Sequence, residues 1–401
     1  MTEGDRMRIS TRAQSIAPFF AMEFGRRAAE LEAQGHHVVK LSLGEPDFGA
    51  PPAVRRALQT VSEGGRLPYT SALGVHALRR AIAGFYETAH GLRLDPERVI
   101  VTAGASAALL LLTAAVVEPG DEVLVGDPSY PCNRQFLQSF GARVRLVPTG
   151  AATRFQLDVA ALREHWSDAT RGMMVATPSN PTGTSVPADE LAALCAWARE
   201  RGAWRLVDEI YLNLSDADAA GRAPQTVLAH DPDALVVNSF SKYFGMTGWR
   251  LGWCVVPEAM VPVMERLAQN YYICPSTPAQ LAALECFTPE SLAVCEARRL
   301  ELAGRRALVL EGLARIGLTV PVPPDGAFYV YFDVRPTGLD AMHFCERALE
   351  EAHVALTPGR DFGRSGADAH VRLSYAASRE ELAEGIARLG RFMERLGTAR
   401  R

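Results

Sequence analysis

The chain has 401 residues, more than a single hydrophobic core usually serves, so two domains are expected. Its composition, 48% hydrophobic and 22% charged, is that of an ordinary water-soluble globular protein. A formal net charge of −4 offers no overall attraction to nucleic acid or to an anionic membrane, so neither is an expected partner.

Residues 1–10 are polar and charged and lack the apolar centre of a secretory signal. The longest apolar run, 105–117, is shorter than the ~20 residues a spanning helix needs. The seven cysteines are an odd number without a Cys-x-x-Cys pair, which fits reduced thiols in a cytoplasm. The nine histidines show no metal-ligand spacing, so no metal is expected.

Along the chain, residues 18–34 read as an amphipathic helix stopped at Gly35, and 38–43 as a short strand before the loop Gly44-Glu45-Pro46-Asp47. From residue 98 short β-branched runs alternate with helical patterns. The runs are 99–102, 122–126, 143–148, 173–176, 205–207, 235–238 and 252–256, and the helices include 106–117, 132–140 and 188–201. Such alternation predicts βαβ units, hence an α/β fold with a mostly parallel seven-stranded sheet and helices on both faces. The link between the sixth and seventh runs is too short for a crossover helix, so the seventh strand is expected antiparallel.

A long helical region, 257–313, follows. Strands at 319–322, 327–334 and 370–374, with helices at 340–352 and 379–396, then suggest a smaller α+β domain. The strand at 38–43 needs a sheet to join, which places the N-terminal segment there. The expected division is a large domain at 45–285 and a small one made of 1–44 plus 286–401.

In open α/β sheets ligands bind beyond the carboxyl ends of the strands, so the residues after each strand are the candidates. After the first run, Gly104-Ala105-Ser106 opens a helix whose N–H groups suit a phosphate. The spacing is not G-x-G-x-x-G, which removes the fingerprint of a nicotinamide oxidoreductase. After the fourth comes Thr177-Pro178-Ser179-Asn180-Pro181-Thr182-Gly183, a rigid turn carrying Asn180. After the fifth comes Asp208-Glu209-Ile210-Tyr211; a carboxylate ending an apolar run needs a cationic partner, either a protonated ring nitrogen or a structural salt bridge. After the sixth, Ser239-Phe240-Ser241-Lys242 leads to Gly248-Trp249-Arg250. A lysine among such apolar neighbours is desolvated, its pKa falls, and Schiff-base chemistry is favoured. The serines and Arg250 are phosphate ligands by type.

These motifs, in this order and spacing, resemble the fold type I pyridoxal-phosphate (PLP) enzymes of the class I/II aminotransferase family over roughly residues 10–395. The resemblance implies PLP as cofactor, an L-amino acid and a 2-oxo acid as substrates, and a homodimer with shared active sites. It implies that Lys242 carries the cofactor as a Schiff base and moves the proton, and that Asp208 pairs with the pyridine nitrogen. Asn180 and Tyr211 meet the phenolic oxygen, and Tyr130, in Asp127-Pro128-Ser129-Tyr130-Pro131, stacks on the ring. Gly104, Ala105, Ser106, Ser239, Ser241 and Arg250 surround the phosphate. Arg372, in Val371-Arg372-Leu373-Ser374, grips the substrate carboxylate with Asn180 and the Gly44 backbone. Tyr69, in Pro68-Tyr69-Thr70, resembles the tyrosine that reaches the phosphate of the neighbouring subunit.

One departure bears on substrate. Dicarboxylate-preferring relatives carry a lysine where this chain has Ser106, and Ile16-Ala17-Pro18-Phe19-Phe20 resembles the arm that covers the substrate side chain. A neutral or aromatic donor is therefore expected, with 2-oxoglutarate or pyruvate as acceptor. The alternatives are a carbon–sulfur β-lyase on the same fold and, from another class, a ligand-sensing regulator domain. The latter is not expected, because about ten residues before the resembling region leave no room for a DNA-binding module.

Overall fold

The β-branched runs from residue 99 onward become one seven-stranded sheet in the computed structural model, which describes residues 7–217, 221 and 223–398. The few other residues within the expected domain boundaries lie outside the described residues. Ahead of the sheet come α1 (Thr11–Ser15), α2 (Phe20–Ala33), β1 (Val39–Lys40), α3 (Pro52–Glu63) and α4 (His76–His90). Its strands are β2 (Val99–Thr102), β3 (Glu122–Asp127), β4 (Arg143–Pro148), β5 (Thr170–Ala176), β6 (Trp204–Asp208), β7 (Leu235–Ser239) and β8 (Gly252–Val255). Between them run α5 (Ala105–Val116), α6 (Pro131–Ser139), α7 (Val159–His165) and α8 (Ala188–Glu200).

The strand order is β2-β8-β7-β6-β5-β3-β4. Strands β3 to β7 are parallel, and β8 is antiparallel to both β2 and β7, as the short preceding link requires. Strands β2, β7 and β8 are buried at every position, because parallel-type sheets are covered on both faces. Alternate side chains feed two cores. Val99 and Val101 pack with Leu78 and Ile82 of α4 on one face. Ile100 packs with Leu109 and Leu112 of α5 on the other.

The remaining elements are α9 (Val261–Tyr271), α10 (Thr277–Ala283), α11 (Pro289–Arg315), β9 (Tyr329–Asp333), α12 (Ala341–Ala352), β10 (Val354–Ala355), β11 (Thr357–Pro358), β12 (His370–Ser374) and α13 (Arg379–Thr398). A second sheet has the order β11-β12-β9, and β1 pairs in parallel with β10. The N-terminal segment thus joins these C-terminal strands: Leu41 N–H donates to Ala355 O at 2.9 Å, and Ser374 N–H to Leu41 O at 2.8 Å.

Three local expectations are corrected. The helical region 257–313 is three helices, because Pro275, a left-handed Ile273 (φ 67°) and a proline in the first turn of each of α10 and α11 interrupt it. Residues 319–322 make one bridge, Thr319 to Asp333, instead of a strand. Pro321 and Pro323 lack the N–H that a ladder needs. Residues 51–97, where no element was anticipated, hold α3, which starts with Pro52, and α4, which ends on the left-handed Gly91 (φ 65°).

Candidate active site

The segments that follow the carboxyl ends of β2, β3, β5, β6 and β7 all reach one cavity of about 500 Å³. From β7 come Ser239, Ser241 and Lys242, and a short turn at Thr247–Trp249 then delivers Arg250 in a left-handed conformation (φ 52°). From β2 the chain passes Gly104 (φ 84°) into α5, which starts without a side-chain cap. A Cβ on Gly104 would lie 2.6 Å from Arg250 Nη2, and one on Gly252 would lie 2.8 Å from the Ala105 nitrogen. Glycine at 104 therefore makes room for the guanidinium, and glycine at 252 lets β8 approach the backbone at the start of α5. Uncapped N–H groups, a guanidinium and the bonded pair Ser239 Oγ–Ser241 Oγ (2.9 Å) form a cradle for a phosphate.

Lys242 Nζ donates to the Gly44 carbonyl at 2.5 Å and lies 5.8 Å from the Tyr211 ring centre. Burial pushes its pKa down to about 8; Glu45 opposes this, and Arg372 and Arg250 add to it. Asp208, buried at the end of β6, accepts from Ile210 N–H at 3.0 Å. Burial pushes its carboxyl up to about 6, against the Ile210 hydrogen bond and the charge of Lys242. A buried carboxylate so sparsely bonded is suited to a protonated ring nitrogen. Ala176, its register partner on β5, contributes a small side chain to the same wall.

Arg372 sits in β12, more than 100 residues from the parallel sheet, yet donates to Asn180 Oδ1 at 2.9 Å. It also donates to Ser42 O at 2.5 Å and Thr357 Oγ1 at 3.3 Å. Its buried Nε has no hydrogen-bond partner among the described residues, and its guanidinium lies over the rings of Tyr329 (4.6 Å) and Phe362 (4.8 Å). Such a restrained planar cation suits a carboxylate. Tyr130, following β3, forms another wall, with Phe19 at 6.0 Å between ring centres.

Of the residues anticipated from sequence, Gly44, Ala105, Ser106, Tyr130, Asn180, Asp208, Tyr211, Ser239, Ser241, Lys242, Arg250 and Arg372 line this cavity. Gly104 stands behind Arg250. Tyr69 lies outside it, with 79% of its surface exposed. Sequence reasoning missed Leu43, Ala176, Tyr329, Asp361 and Phe362, all of which line the cavity. It also passed over one signal. Lys40 and Lys242 are the only lysines in the chain, and Lys40 is taken by an ion pair with Glu32 at 2.6 Å. Lysine scarcity alone thus singles out Lys242.

An amine of depressed pKa, a buried carboxylate short of partners and a phosphate cradle at one sheet edge fit pyridoxal phosphate and define a fold type I PLP enzyme. Residues 36–389 match the family model for aminotransferase class I and II, and the chain belongs to that family. It is 39% identical to the valine–pyruvate aminotransferase of Mycobacterium tuberculosis, over 96% of this chain and 98% of that one. It is 36% identical to the aspartate/prephenate aminotransferase of Thermus thermophilus, over 96% and 99%. Among solved structures, an aminotransferase from Mycobacterium tuberculosis superposes with a TM-score of 0.93 at 38% identity, covering 97% of this chain and all of that one. The protein is a PLP-dependent aminotransferase that moves an amino group from an amino acid to a 2-oxo acid. No helix among the described residues is long and apolar enough to cross a membrane.

Proposed function

We propose that the enzyme takes a neutral donor, aliphatic or aromatic, and passes its amino group to pyruvate or 2-oxoglutarate. One observation carries this reading. The cationic side chains among the described residues of the cavity wall are Lys242, Arg250 and Arg372. The first is assigned to the cofactor amine, the second to the phosphate and the third to the α-carboxylate, so no cation is left for a side-chain carboxylate. Phe19, Met22, Leu43, Leu109 and Phe362 supply apolar wall, Ser106 is uncharged, and the charged side chains besides Asp208 that remain, Glu45 and Asp361, are acidic. The similarity to a relative named for valine and pyruvate supports the same reading.

In this reading Lys242 holds the cofactor through Nζ and later takes the proton from the donor's Cα. Asp208 holds a proton on the cofactor's ring nitrogen, and the Tyr211 hydroxyl and Asn180 amide flank its phenolic oxygen. Tyr130 covers the ring. Arg372, oriented by Asn180, binds the α-carboxylate of donor and product alike. When bound, PLP supplies an electron sink for the charge left on Cα.

We also infer a homodimer in which Tyr69 reaches the phosphate cradle of the other subunit. The loop is held from beneath, by Thr277 Oγ1 to Pro68 O at 2.8 Å and Gln280 Nε2 to Thr70 Oγ1 at 3.1 Å, while the Tyr69 ring is bare. Residues 45–285 are assigned to the large domain and 1–44 plus 286–401 to the small one. Seven unbridged cysteines, five of them buried, support a reducing, cytoplasmic setting.

A donor panel with purified holoenzyme tests the substrate reading. Neutral donors should exceed aspartate in kcat/KM, and Ser106→Lys should raise the value for aspartate about tenfold or more. Aspartate as the best wild-type donor would overturn it, and pyruvate and ammonia formed without an acceptor would indicate a lyase. Sedimentation at twice the 43.5 kDa chain mass, with weaker phosphate-dependent cofactor retention in Tyr69→Phe, tests the dimer.

A further inference from the structure

Helix α2 begins at Phe20, and the residue at its N-cap, Phe19, has no side chain able to cap it. Its first N–H groups are instead taken by a residue from the far end of the chain. Asp361 Oδ1 accepts from Phe20 N–H at 3.0 Å, and Oδ2 accepts from Ala21 N–H at 3.1 Å. Asp361 is 3% exposed, and its carbonyl is held by Arg134 Nη2 at 2.9 Å. Burial anchors the start of this arm weakly, because α1 has no buried residue and the buried residues of α2, Phe24 and Ala28, come later. Besides the latch, Arg12 Nη1 donates to Ser139 O at 3.0 Å, Phe19 lies against Tyr130 and Phe20 packs on the core. The segment so pinned supplies Phe19, Ala21 and Met22 to the cavity wall. The next residue after Asp361 is Phe362, whose ring lies against the Arg372 guanidinium at 4.8 Å.

Two consecutive residues on one turn therefore serve two subsites: Phe362 backs the carboxylate grip, and Asp361 fixes the wall that faces the donor's side chain. We propose that Asp361 is a specificity-determining positioning residue, which latches the N-terminal arm over the donor side chain and selects neutral apolar donors. The proposal rests on the neutral-donor reading and deepens it. The positive end of the helix dipole favours a carboxylate at this helix start, so the latch is consistent in charge. The same carboxylate, with Glu45, gives the cavity wall a negative side that repels a second carboxylate on a substrate. Loss of the latch lets Phe19 and Met22 withdraw, which removes apolar contact from the donor while leaving the Arg372 grip in place.

The test compares wild-type holoenzyme with Asp361→Ala, Asp361→Asn and Phe19→Ala. Each is measured with valine, phenylalanine and aspartate as donors and by the rate of tryptic cleavage after Arg8 and Arg12. Asp361→Ala should raise KM for valine and phenylalanine about tenfold or more, with a smaller fall in kcat. It should also shrink the preference over aspartate and speed cleavage of the arm. Asp361→Asn should lie between, since one oxygen still accepts one N–H. Phe19→Ala should reproduce the KM change without the faster cleavage. Wild-type donor ratios and wild-type cleavage rates in Asp361→Ala would overturn the proposal. Should that variant not fold, unchanged ratios in both Asp361→Asn and Phe19→Ala would do the same. A wild-type preference for aspartate would instead defeat the neutral-donor reading, and the cleavage assay would still report on the latch.

Discussion

Tyr211 and Tyr329 join their hydroxyls at 2.8 Å, with rings edge to face at 82°. Tyr211 follows β6 of the parallel sheet, whereas Tyr329 opens β9 of the small one. Tyr329 also lies beneath Arg372 at 4.6 Å, and a Cβ on Gly44 would overlap its hydroxyl. It touches the carboxylate grip, the loop that holds Lys242 Nζ and the phenol expected at the cofactor. Tyr329→Phe removes a buried hydrogen bond worth about 1–3 kcal/mol, because the Tyr211 hydroxyl loses this partner. We expect kcat/KM to fall about 5- to 150-fold for donor and acceptor alike, together with a shift in the pH midpoint of the cofactor's visible absorbance. An unchanged midpoint would restrict Tyr329 to packing.

Lys242 is charged at a cost in the cofactor-free protein. Its folded pKa is about 8, below the usual 10.5. The unfolded chain thus binds more protons between these values, so stability rises with pH across that window. Lys242→Met removes the penalty. The cofactor-free variant should melt above wild type at pH 7, and its advantage should shrink as pH rises from 8 toward 10.5. Thermal melts at a series of pH values check this, and a difference that stays constant across the window would refute it.

Asp208→Asn keeps the shape of the side chain but removes the charge expected opposite the ring nitrogen. Breaking a buried pair costs about 3–5 kcal/mol. A fall of two to three orders of magnitude or more in kcat is expected, with Asp208→Glu less impaired. Single-turnover kinetics separate the loss from any change in cofactor affinity.

Arg372→Lys retains a positive charge but not the two-pronged geometry, so it should not rescue. Truncating a buried, hydrogen-bonded charge pair costs about 2–5 kcal/mol, so KM for the amino acid and the oxo acid should both rise about 30-fold or more. Cofactor binding should persist. Selective loss toward one substrate alone would contradict a common carboxylate site.

Much of the architecture was legible locally. All seven strands of the large sheet, the reversed direction of β8 and the lysine, carboxylate and arginine at its edge follow from runs, breaks and the rule about carboxyl ends. Tyr329 was not legible, because Tyr329 and Tyr331 alternate identically in one apolar run. Only packing sends the first to the cavity and stacks the second on His370 at 4.8 Å. The broken helix at 272–276 was visible in principle, since Pro275 stands within it.

By itself, the sequence determined the seven strands of the large sheet and the helices between them, because side-chain period and turn residues act within a few positions of the chain. It also determined that Asp208 and Lys242 stand at or just past strand ends and that Arg250 stands just before the reversed strand begins. Only the tertiary structure decided that Arg372 reaches Asn180 across 192 positions and that Asp361 caps a helix 341 positions earlier. Those contacts come from how the small sheet and the N-terminal arm pack over the large sheet's edge. No local pattern encodes that distance, because it is set by the shapes of whole elements rather than by neighbours in the chain.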